Sequence, residues 1–229
     1  MKLGLARGLA QGSGSMIARL CLPLGWVLAT AGYYGPWIAH ETAALTLTGS
    51  DMGEFVKFLP GVSDGSLQVM RQLFYLPPVA VVLSVALLVG NRSLHYSLLL
   101  RVVALVLSLA LSVQLLPPAW SPSSLMTAEF RLQPIALGLC WLALAGFWLL
   151  GRLPLRMTAL LSSALTVLAG VLSAWQMLAV KSAIDTVYGT PPSVGWGCFV
   201  CLVGLTVLTA AGIALALLAP PHHTTTRHK

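Results

Sequence analysis

Six long apolar stretches dominate this chain, at about 16–39, 73–90, 94–116, 132–150, 157–180 and 194–219. A helix needs roughly 17–25 residues to cross a hydrocarbon layer of ~30 Å, and each stretch is of that order. Lipid offers no water to backbone N–H and C=O groups, so such segments must satisfy them internally as helices. A membrane barrel would require alternating polarity, which these stretches lack. Composition points the same way: 57% of the residues are hydrophobic and 8% are charged, where soluble domains carry about 25% charged residues. The expected fold is an all-α integral membrane protein, a six-transmembrane-helix bundle occupying residues 16–219. Residues 1–15 form a short basic lead and residues 220–229 a short tail.

Charge sets the expected sides. With the N-terminus cytoplasmic, the inner segments carry Lys2, Arg7, Arg19, Arg92, Arg101, Arg152, Arg156, Arg227 and Lys229. The outer loops then carry Lys57, Arg71, Arg131 and Lys181. This excess of basic residues on the inner side is what the positive-inside rule requires. All six acidic residues (Glu41, Asp51, Glu54, Asp64, Glu129 and Asp185) fall outside under the same assignment. The expectation is a multi-pass plasma-membrane protein, bacterial in character, with both termini cytoplasmic. A competing feature is the run of basic residues, LCLPLGWVL and Ala29-Thr30-Ala31, which has the outline of a cleavable leader. The long polar lead-in and the apolar GYYGPWIA that follows favour a retained first span.

The longest polar interruption, Tyr33 to Arg71, holds four of the six acids. Its outer loop, residues 40–72, has internal pattern. Asp51 with Glu54 three residues later has the form of a capping box in which Asp replaces Ser or Thr. Met52, Phe55, Val56 and Leu59 recur at helical spacing, and Pro60-Gly61 ends the run. This predicts a short amphipathic helix over 52–59, lying on the membrane face or on neighbouring spans. Asp51, Glu54, Phe55 and Phe58 are its candidate partner-binding residues. Pro77-Pro78 is expected to bend or break the second span near the interface, and Trp120 and His40 suit interfacial positions.

Small residues mark two later spans. Thr158, Ser162, Thr166, Gly170 and Ala174 recur at every fourth position, and Gly197, Cys201, Gly204 and Ala211 line a comparable face. Such stripes let helices approach closely. They serve either to pack these two spans together or to receive a partner subunit. In the second case Ser162, Thr166, Gly170, Gly197 and Gly204 make the contact.

Chemistry is sparse. The span centres contain no Asp, Glu, Lys or His, the residue types that mark proton and ion pathways. Cys198-Phe199-Val200-Cys201 places two thiols on one helical face, a pair that could serve thiol–quinone exchange if activated. The second outer cysteine pair that such chemistry normally uses is missing, and cysteine is also an ordinary small packing residue. The outer acids fit no dense cation loop, and His40 and His95 lie at opposite faces, so they cannot share a macrocycle. Nucleotide, serine-hydrolase and zinc-protease motifs are lacking, and no basic stripe suggests nucleic acid. No metal or cofactor is implied. The expected function is a non-catalytic membrane subunit, surrounded by the lipid bilayer, that docks other membrane-protein subunits of a transport or energy-converting complex. A permease for an apolar or lipidic solute is the first alternative, and a thiol oxidoreductase using Cys198 and Cys201 is the second.

Overall fold

The computed structural model describes residues 2–40, 45–117, 121–187 and 191–219. These are mostly helical, and four helices are long and apolar enough to cross a membrane: Gly14–Tyr34, Arg71–Leu88, Leu155–Val187 and Trp196–Leu218. His40's side chain, Glu41, Trp120 and the tail 220–229 lie outside what is described.

Helix α1 (Lys2–Tyr34) incorporates the expected basic lead. It stops before Ala39 because Gly35-Pro36 ends it, proline disfavouring helix at the residue before it. The next residues form β1 (Pro36–His40) instead, a departure from an all-α chain. β1 pairs antiparallel with β2 (Leu45–Thr48) on one edge, and on the other with β3 (Ser193–Val194) just before the last helix. This three-stranded sheet satisfies backbone groups of loops that close over one end of the bundle. Trp37 pins it there: it is wholly buried, its indole N–H donates to the Gly32 carbonyl at 3.1 Å, and its ring meets Tyr33 and Phe74 edge-on.

Helix α2 (Gly49–Phe55) follows, with a 3₁₀ turn at Val56–Phe58 and the single turn α3 (Pro60–Ser63). Its capping box sits three residues earlier than expected. Thr48 is the N-cap, the Asp51 amide donates to Thr48 Oγ1, and the Thr48 amide donates to Asp51 Oδ2 at 3.0 Å. Thr48 can both accept and donate through its hydroxyl, so it fills the cap while Asp51 takes the reciprocal position. Met52, Val56 and Leu59 are buried, so the helix lays its apolar stripe on the bundle end.

A 3₁₀ segment at Arg71–Tyr75 runs into α4 (Leu76–Leu88). Pro77 and Pro78 sit in the first turn of α4, where the missing N–H groups cost nothing. They mark the change of helix type without breaking the span. α4 is the hub. It is buried on nearly every face and packs against α1, α5 (Leu98–Val113), α7 (Leu132–Ala145), the short α8 (Phe147–Leu150) and α9 (Leu155–Val187). The single turn α6 (Pro122–Leu125) precedes α7, and α10 (Trp196–Leu218) completes the bundle between α1 and α9.

The third and fourth expected spans are shorter than the sequence suggests. α5 has 16 residues and α7 has 14, about 24 and 21 Å of helix at 1.5 Å per residue. Gly146 separates α7 from α8, and the backbone tightens to a turn after Val113.

Candidate functional site

The two ends of the bundle differ in charge. The end closed by the sheet and α2, called the cap here, carries Asp51, Glu54, Asp64, Glu129 and Asp185. Arg19, Arg92, Arg101, Arg152 and Arg156 belong to segments of the opposite end.

At the cap, side chains from three separate segments converge on Arg71, only 7% exposed. Its Nη1 lies 3.2 Å from Glu54 Oε1 and 3.3 Å from Glu129 Oε1, and its Nη2 donates to the Glu129 carbonyl at 2.7 Å. Lys57 Nζ completes the cluster, 2.6 Å from Glu54 Oε2 and 3.3 Å from Glu129 Oε1. The Tyr75 hydroxyl donates to Glu54 Oε1 at 3.1 Å. The Phe130 ring lies under both cations, 4.6 Å from the Arg71 guanidinium carbon and 5.5 Å from Lys57 Nζ. Two carboxylates facing two cations leave no net charge, and a buried guanidinium needs this degree of pairing to be tolerated. The planar fork of arginine suits the site, since it reaches two acceptors at once. The cluster therefore ties α2 to the 126–131 segment and the root of α4.

Around it the cap displays apolar side chains. Phe58 is 78% exposed, Met70 58% and Met126 85%, and all three lie on the segments that carry or border the ion cluster. Phe58 stands beside Lys57. Of the other residues singled out in the loop, Asp51 serves the capping box, Glu54 the ion cluster, and Phe55 packs half-buried against the core.

The small-residue faces make contacts within the chain, as the first of the two readings, packing of these spans together, expects. Ser162 Oγ donates to Ser84 Oγ of α4 at 2.8 Å, and Trp26 Nε1 of α1 donates to the same oxygen at 3.0 Å. Thr166 Oγ1 shares a 2.8 Å hydrogen bond with Thr209 Oγ1 of α10, and Gly170 faces Leu205. Gly204 lies against the backbone of Ala29, and Gly197 against Gly35. These contacts close the α9–α10 and α1–α10 seams, where glycine and hydroxyl side chains allow backbones to approach.

Cys198 and Cys201 are both free and lie in the α1–α10 seam, 5% and 0% exposed. Gly32 packs directly on the Cys201 backbone. A reactive thiol needs access and an electropositive neighbour, and none of the ion-paired or ring-stacked cations lies on this seam. Among the described residues no group of three or more His, Cys, Asp or Glu could hold a metal ion.

Sequence reasoning missed Tyr75 and Phe130 and did not join Arg71 to Glu129. The only signal was that charged residues are so rare here that each outer one needs a partner. No protein-family model, curated protein or solved structure matches this chain.

Proposed function

We propose that the chain is a non-catalytic, six-span plasma-membrane subunit that docks a membrane partner through its cap, within a transport or energy-converting assembly. The cap faces outward and both termini lie in the cytoplasm. In this reading α5, and α7 with α8, supply the third and fourth crossings. Supporting that count, α5 turns Leu98, Leu99, Val102, Val106 and Leu107 outward, a face suited to lipid. The basic residues of the opposite end support the orientation.

The observation that carries the docking reading is the pairing of exposed Phe58, Met70 and Met126 with an ion cluster, centred on buried Arg71, that holds their segments in place. Large exposed apolar side chains on an ordered surface characterise protein contacts, and a surface fixed beforehand loses less entropy on binding. Docking therefore belongs to Phe58 and its neighbours, with Asp51 at the exposed rim.

Purification in mild detergent tests this. A membrane protein should co-purify in fixed ratio with the native chain and be lost from a Phe58→Glu, Met126→Glu variant that keeps its melting temperature. A lone, monodisperse native protein would overturn the reading. Orientation is tested separately: a reporter fused after Lys229 should be active only in the cytoplasm, and Cys at position 54 should label from outside.

A further inference from the structure

The arginine-rich end contains a feature that partner docking does not use. A cleft of about 250 Å³ opens between the α4–α5 turn and the α8–α9 turn. Arg92, Arg101 and Arg152 all line it, together with the rings of Phe147 and Trp148. None of the three arginines takes part in an ion pair among the described residues; every such pair lies in cap segments or at the cap end of α9. The Nε of Arg101 is buried without a hydrogen-bond partner. The positive-inside rule accounts for arginines at this end but not for three of them lining one concavity, where their guanidiniums repel each other unless an anion is shared.

The cleft is also built by the backbone. Gly151 packs on the carbonyl of Gly90, and Gly90 on the carbonyl of Phe147, contacts that any side chain at either glycine would obstruct. Asn91 locks the two turns together: its Nδ2 donates to the Leu153 carbonyl at 3.3 Å, and its Oδ1 accepts from the Ser93 amide at 3.0 Å. Arg152 is laid over the Trp148 ring, 4.4 Å from its centroid. Both residues line the cleft, and a guanidinium stacked on a ring face keeps in-plane N–H groups with which to donate.

Apolar surface continues directly from this polar pocket. Leu98 is 77% exposed, Trp148 50% and Leu149 52%, on the helices that border the cleft. A ligand with a phosphate at one end and hydrocarbon at the other matches both surfaces. We propose that Arg92, Arg101 and Arg152 form a binding site for the phosphodiester headgroup of an acidic glycerophospholipid, with its acyl chains lying along α5 and α8. Basic pockets between membrane helices recognise such headgroups by the same chemistry, and arginine suits phosphate because two donors reach two oxygens together. The site depends on this end lying at a membrane surface and does not depend on what the cap binds.

The test uses the full chain in neutral detergent, with the melting temperature and lipid-bound species in native mass spectra as readouts. Phosphatidylglycerol should stabilise the protein and stay bound, while phosphatidylcholine at the same mole fraction should do neither. R92Q and R152Q, both at exposed positions, should each weaken phosphatidylglycerol binding about fivefold, the factor for losing ~1 kcal/mol per arginine at a lipid surface. R156Q, an exposed arginine outside the cleft, should leave binding unchanged, and R152K should restore part of it. Equal stabilisation by phosphatidylcholine, or an R156Q loss as large as that of R152Q, would overturn the proposal in favour of general surface attraction. Full stabilisation by inorganic phosphate or glycerol phosphate would overturn it in favour of a free-anion site.

Discussion

Arg71 and Glu54 are seventeen positions apart, and the carboxylate of one accepts from the buried guanidinium of the other at 3.2 Å. Lys57, three residues after Glu54, and Glu129 from a distant segment join this pair, so that charge fastens the cap beside the buried Met52, Val56 and Leu59. Removing Arg71 leaves two carboxylates facing a single lysine. The Arg71→Ala variant should lose about 2 kcal/mol, below the 3–5 usual for a fully buried pair because both carboxylates are partly solvated. Arg71→Met combined with Glu54→Gln should lose less than Arg71→Ala. Thermal melts of the detergent-solubilised protein check both. Equal losses would mean that pairing does not fasten the cap.

Gly32 faces Cys201 across the α1–α10 seam with no room for a Cβ. Gly32→Val forces the backbones apart and should destabilise by about 3 kcal/mol, the upper range for overpacking, since backbone must yield. Gly138 has open space around it, so Gly138→Ala should be neutral or slightly stabilising through helix propensity. Comparing the two melting temperatures separates steric effects from propensity.

Ser84 accepts from both Trp26 and Ser162 in the interior. Ser84→Ala leaves the indole N–H without its acceptor, at a cost of about 1 kcal/mol, as measured for polar contacts between membrane helices. The Trp26 indole proton should shift in NMR spectra of the variant, while Ser112→Ala should move only Trp141, which donates to Ser112 Oγ.

Cys201 should resist alkylation. In the native protein a maleimide should modify half-buried Cys21 first, leaving Cys198 and Cys201 until the chain is denatured. The Cys198→Ser, Cys201→Ser variant should assemble with its partner as the native chain does. Rapid native labelling of Cys201 would restore a case for thiol chemistry at this seam.

The Asp64 carboxyl is held below its ordinary value by hydrogen bonds from the Ser66 side chain and amide. A carboxylate with a lowered folded pKa keeps its contribution above the unfolded value and loses it as pH falls through the folded one. The turn at 64–66 should therefore persist to lower pH than a free aspartate stays ionised. The Ser66 amide shift should follow a titration displaced to the acid side of free aspartate, and Asp64→Asn should abolish the step.

Membrane character was legible in the sequence because hydrocarbon imposes a one-dimensional rule: a long enough apolar run must be a helix, and its charged flanks must remain in water. That rule picks out six apolar runs with no knowledge of contacts, and four of them are helices long and apolar enough to cross a membrane; α5 and α7 are shorter. The Met52, Val56 and Leu59 stripe was equally visible, since spacing alone decides which side of a short helix is apolar. Use of the small-residue faces was not visible. Ser162 and Gly204 have the same signature whether a neighbouring helix belongs to this chain or to another, and only the packing of α4, α9 and α10 assigns them inward. The sheet was hidden because PWIAH is apolar enough to prolong a span, and its strand partners lie elsewhere in sequence, with Ala39 opposite Ser193. Arg71 meets Glu129 across 58 positions, and three arginines gather at a cleft from two different turns and helix α5. Pairings of this kind arise when the helices are brought together in three dimensions, where Coulomb attraction and steric fit depend on distance through space and local patterning along the chain carries no record of them.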